Sequence, residues 1–139
     1  MFMAAWMEMT WVMIIAQYSV TILALIVFMV VFEWVTPYKN WESIRSGNLA
    51  VAMATGGKIL GVTNIFRFSI ENNDTLLQML MWGSFGFVLL VAGYLIFEFL
   101  TPFLKVDEQI ASDNRAVGLL SLILSFGLSY VIGAGITNS

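Results

Sequence analysis

Lys58, Glu33 and Glu98 stand in long apolar surroundings, in a chain that has no cysteine and no histidine. An ammonium and two carboxylates in such places can form a desolvated ion pair or line a polar path for an ion. The composition removes most other chemistry: disulfides, thiolate catalysis, the usual structural zinc, haem ligation by histidine and imidazole acid–base work are excluded. No glycine-rich phosphate loop and no nucleophile elbow is present. Neither an enzyme nor a cofactor nor a metal site is therefore expected.

The elements that must hold these residues are spanning helices. Hydrophobic residues make up 60% of the 139 positions and charged residues 11%, with a mean hydropathy of +0.88. That is more apolar surface than a soluble domain of this length can bury. The apolar residues fall in four blocks, at about 11–35, 49–66, 76–100 and 117–136, each near the roughly 17 to 25 residues that a bilayer core requires. Short links between them make neighbouring spans antiparallel.

Two phrases occur twice. Phe32-Glu33-Trp34-Val35-Thr36-Pro37-Tyr38 closes the first span and Phe97-Glu98-Phe99-Leu100-Thr101-Pro102-Phe103 closes the third. After each comes a second phrase, Ile44-Arg45-Ser46-Gly47-Asn48-Leu49-Ala50-Val51-Ala52 and then Ile110-Ala111-Ser112-Asp113-Asn114-Arg115-Ala116-Val117-Gly118. We read the chain as an all-α membrane protein of four transmembrane helices, built as a tandem repeat of a two-helix unit over 1–70 and 71–139. An even number of spans per unit inserts both copies the same way, which makes the repeat parallel. The glutamates are offset by 65 positions and the asparagines by 66, so the second link has one extra residue.

Orientation follows from the basic residues. Lys39, Arg45, Lys105 and Arg115 lie in the links 37–48 and 102–116, and only Arg67 lies between spans two and three. This bias places both links in the cytoplasm and both termini outside. Residues 1–10 hold no Lys or Arg, so a secretory signal peptide is not expected there. Trp6 and Trp11 are expected in the outer interface belt, and Trp34, Tyr38 and Trp41 in the inner one. The net charge of −3 is small and spread out, which argues against nucleic-acid binding.

The doubled Phe-Glu-x-x-Thr-Pro phrase, the Gly47-Asn48 and Asp113-Asn114 pairs and Gly56-Gly57-Lys58-Ile59-Leu60-Gly61 together resemble the YjfL-like bacterial inner-membrane proteins, a domain of unknown function (DUF350). The resemblance runs from span one to span four. The second copy departs from the first at Asp113, where Gly47 stands, and at Leu124, where the lysine is missing. Membership implies a cytoplasmic membrane, four helices and gene neighbourhoods with membrane-remodelling proteins of the phage-shock type and ATP-grasp ligases. No activity is implied.

Each polar residue has more than one reading. Asn48 and Asn114 suit the N-caps of spans two and four, and their helix starts could also form a paired anion site. Glu33 and Glu98 either sit solvated at headgroup level or face inward and pair. Lys58, about 15 Å along its helix from the cytoplasmic end, either snorkels or reaches one of those glutamates, toward which the side-chain lean of oppositely directed helices points it. Gly57 and Gly61 on span two, with Ser121, Ser125, Ser129 and Gly133 on span four, recur at four-residue spacing and mark a packing seam. Spans one and three, bulky on most sides, should lie outside it.

The expected function is homo-oligomeric assembly in the lipid bilayer as a membrane-integrity or envelope-stress component, in company with membrane-remodelling proteins. The alternative is a small ion or proton channel lined by Lys58, Glu33, Glu98, Gln17, Thr55 and Ser125.

Overall fold

The chain is described by a computed structural model covering residues 2–73 and 75–137, with side chains from residue 10 onward. Trp6, expected in the outer belt, therefore lies outside the described side chains. All described elements are helices: α1 (Phe2–Val35), α2 (Asn40–Arg45), α3 (Leu49–Asn72), α4 (Leu76–Leu100), α5 (Val106–Ala111) and α6 (Arg115–Thr137). The four long ones are apolar enough over 23 to 26 residues to cross a bilayer. The order long helix, short helix, long helix occurs twice.

Local chemistry sets the breaks. At both proline phrases the threonine hydroxyl donates to the carbonyl one turn back, Thr36 to Phe32 at 2.9 Å and Thr101 to Phe97 at 2.7 Å. Proline then cannot continue the helix. The two short helices close alike. Asn48 N–H reaches Ser43 and Gly47 N–H reaches Ile44 in the first link; Asn114 N–H reaches Gln109 and Asp113 N–H reaches Ile110 in the second. This Schellman closure needs a left-handed residue, which is Gly47 at φ 92° and Asp113 at φ 66°. Aspartate tolerates that region, so losing the glycine leaves the turn intact. Lys105, at φ 50° just before α5, is left-handed as well, in the link with one more residue.

One helix is central. In α3, 61% of the most apolar stretch is buried, against 28% in α4 and in α6 and 11% in α1. The expected pairing of spans two and four as the inside is thus too simple: α6 packs along α3 with one face and leaves Leu119, Leu120, Ile123 and Val131 exposed. Two apolar clusters form around α3. One, through the membrane, gathers Phe32, Val62, Ile65, Phe66, Met79, Phe87 and Leu90, with Phe28 stacked on Phe87 at 4.0 Å. The other, at the link end, holds Ala50, Val51, Ala54, Val106, Ile110 and Val117.

Close approach of α3 and α6 depends on glycine. A Cβ at Gly57 would lie 2.5 Å from Leu122 Cα, and one at Gly118 would lie 2.7 Å from Ala50 Cα. Gly61 faces the Ser125 carbonyl, and Gly133 faces the Phe68 ring. Ser121, Ser125 and Ser129 are buried along the same contact, and the Asn64 amide donates to the Ser129 hydroxyl at 2.9 Å. Small side chains let helices touch where lipid gives no hydrophobic drive for contact.

Candidate functional site

Lys58 projects from the middle of α3 and leans toward the link end, as helix geometry requires. It does not reach the surface of the chain. Its side chain is only 1% exposed and ends between the rings of Phe32 and Tyr94, which are 1% and 2% exposed. The ammonium nitrogen lies 4.6 Å from the Tyr94 ring centre and 5.3 Å from that of Phe32. It has no hydrogen-bond partner among the described residues. Two desolvated cation–π contacts, each about 2 kcal/mol, therefore hold a charge that would otherwise be costly at this depth.

Neither expected glutamate forms an ion pair with it. Glu33 accepts from the Asn40 backbone N–H at 3.1 Å and from the Asn40 side-chain amide at 2.9 Å. Its carboxylate caps the free N–H at the start of α2, seven residues on, in place of a distant ammonium. Asn40 also accepts from the Thr55 hydroxyl at 3.2 Å, which ties α2 to α3. Together Asn40, Thr55, Met29, Phe32 and Trp41 line the narrow cleft beside Lys58.

Glu98, which stands in the second Phe-Glu-x-x-Thr-Pro phrase as Glu33 does in the first, has another role. Its carboxyl group faces that of Asp107 on α5, and both act electrostatically on Lys58 without touching it. Asp107 accepts from the Tyr94 hydroxyl at 2.7 Å. Lys58, Tyr94, Asp107 and Glu98 thus form a chain of polar groups from mid-helix to the link surface. There Glu98, Pro102, Lys105, Asp107 and Glu108 line an open cleft. Sequence reasoning missed Tyr94 and Asp107, because nothing local signals that α5 folds back over the end of α4.

Tyr38 does not join the inner aromatic belt: it is buried at 8% exposure in the link-end cluster, whereas Trp11, Trp34 and Trp41 are exposed. Proline at 37 turns the chain inward at this point. Burial, reinforced by the Asp107 charge, pushes the Tyr38 hydroxyl well above the usual tyrosine range. The folded chain then holds this proton more tightly than the unfolded one. Its contribution is present in full below about pH 10 and is lost as pH rises beyond that. Thermal unfolding followed by tryptophan fluorescence should show stability falling above that point, and Tyr38→Phe should flatten the fall. An identical alkaline profile in the variant would contradict this.

Asn48 and Asn114 act as caps, accepting from Val51 N–H at 2.9 Å and Val117 N–H at 3.3 Å. The paired anion site is already filled at α3. Asp113 from the other half accepts from Ala50 N–H at 2.9 Å, placing a carboxylate at the positive end of the helix. Asn48 in return donates to the Ile110 and Ala111 carbonyls. These crossed bonds fix the two links side by side at one end of the bundle.

No cluster of three or more possible metal ligands occurs among the described residues. Residues 5–136 match the family model described as Domain of Unknown Function (DUF350). The chain belongs to the DUF350 family. It is 60% identical over 123 residues to the UPF0719 transmembrane protein YshE of Bacillus subtilis (strain 168), covering 88% of this chain and 92% of that one. It is 24% identical over 105 residues to the UPF0719 inner membrane protein YjfL of Escherichia coli (strain K12), covering 75% and 77%. No solved structure matches. A DUF350 chain with four apolar helices of spanning length is a membrane protein.

Proposed function

We propose that this DUF350 protein is a non-catalytic component of a bacterial cytoplasmic membrane that works by assembling with copies of itself, as part of the machinery that maintains the envelope. On this reading the chain is a duplicated two-helix unit, and membrane-remodelling proteins are its partners. The observation that supports self-assembly is an unused contact strip on α6. Gly127 and Gly135 have no atom within 4 Å of where a Cβ would stand, and Val131 between them is 69% exposed. Bare backbone of this kind is suited to close helix approach in lipid. The outer half of α1, residues 10–19, is likewise exposed or half-buried throughout.

Two differently tagged copies, co-expressed and extracted in mild detergent, should co-purify, and Gly127→Leu should reduce recovery of the second copy while leaving helicity unchanged. Absence of co-purification in the unaltered pair would overturn the assembly reading.

A second reading is a proton or ion path, favoured by the buried Lys58 ammonium. Conductance across planar bilayers that is lost in Lys58→Met would support it; no conductance from the intact protein would reject it.

The orientation is tested in the cysteine-free background. Ser46, Glu71 and Glu108 are exposed positions for single cysteines. An impermeant thiol reagent applied outside should label the cysteine at 71 and spare those at 46 and 108. The reverse pattern would place the links outside.

A further inference from the structure

We propose that Lys58, Tyr94, Asp107 and Glu98 form a proton-exchange relay, whose inner end is the Lys58 amine and whose outer end is the open cleft at the link surface. The relay needs only one chain, so it stands apart from self-assembly and requires no path across the whole membrane.

The ligand is identified by size and charge. The cleft beside Lys58 has no room for a water molecule, so a hydrated ion or an organic anion has no place there. The groups that act on the lysine are the rings of Phe32 from α1 and Tyr94 from α4, and the carboxyl groups of Glu98 from α4 and Asp107 from α5. α6 carries no charged residue beyond Arg115. Two carboxyl groups on the link side of one ammonium disfavour a further anion, and the proton is the one cation small enough to come and go. An amine without an acceptor, sealed at 1% exposure, can exchange that proton only through a neighbouring polar group.

Tyr94 supplies the passage. Its ring face lies against the ammonium and its hydroxyl is already bonded to Asp107. The relay requires a change of lysine side-chain torsion, with the backbone fixed, that brings Nζ from the ring face to the hydroxyl at its edge. The Nζ–H proton then passes to the Tyr94 oxygen as the Tyr94 O–H proton passes to the Asp107 carboxylate. Asp107 hands it to Glu98 or to water in the cleft lined by Glu98, Lys105 and Glu108. One proton moves outward and no other bond changes; the return runs the same steps backward.

The chain has three lysines, Lys39, Lys58 and Lys105, so selective 13C and 15N labelling of the lysine side-chain ends gives a sparse NMR spectrum in lipid nanodiscs. The Lys58 signal is identified by its loss in Lys58→Met. Its proton exchange with water should slow at least about tenfold in both Tyr94→Phe and Asp107→Asn, and be unchanged in Glu42→Gln. Tyr94→Phe keeps the ring beneath the ammonium and removes only the hydroxyl, so it decides alone if Asp107→Asn fails to fold. Unchanged exchange in Tyr94→Phe would overturn the proposal.

Discussion

Gly57→Leu is expected to destroy the folded chain. The added Cβ alone would stand 2.5 Å from Leu122 Cα and 3.1 Å from the Leu122 carbonyl oxygen. These atoms are backbone, so no side-chain rotation relieves the clash; α3 and α6 must separate. Separation would break the Asn64–Ser129 bond and uncover the buried serines of the contact. Overpacking a side chain usually costs about 1 to 3 kcal/mol. A backbone clash at the central contact should exceed about 4 kcal/mol, a large share of a marginally stable domain's total. Gly56 is the matched control, since a Cβ there meets nothing within 4 Å. Gly56→Ala should raise stability by up to about 1 kcal/mol through helix propensity alone. Thermal unfolding in detergent compares the two; equal midpoints would mean that α3 and α6 do not touch at Gly57.

Lys58→Met should make the fold more stable. The ammonium is buried without a hydrogen-bond acceptor, and methionine has nearly the same length, with a sulfur that suits the faces of Phe32 and Tyr94. The loss of two cation–π contacts works against the gain from removing a desolvated charge. Asp107 and Glu98 line an open cleft, so water can solvate them once the lysine is gone. The net rise should be about 1 to 3 kcal/mol. A lower unfolding midpoint in Lys58→Met would show that an acceptor holds the ammonium, as in the ion pair that the sequence suggests.

The spans and their ends were legible because each rests on local chemistry. Long apolar blocks must cross lipid, Thr-Pro stops a helix, and Asn48 and Asn114 cap the next one. The Lys58 surroundings were not legible for a physical reason: they are completed by two six-residue helices, α2 and α5, too short to show an amphipathic period. A signal did exist for Glu33, since a carboxylate seven residues before a helix start can return to cap it. Nothing comparable marks Asp107, whose partners Tyr94 and Glu98 lie across a left-handed turn at Lys105. Asp113 shows the limit from another side: it departs from the Gly47 pattern in residue type and keeps the same backbone conformation.

The proposed assembly of copies of this chain in the membrane is tested most directly by extraction into polymer-bounded nanodiscs that retain native lipid, followed by a native mass measurement. A protein mass at a whole-number multiple of the 15.5 kDa chain, falling to one chain in Gly127→Leu, is the predicted result. A single chain per disc, at every expression level and in the unaltered protein, would contradict it.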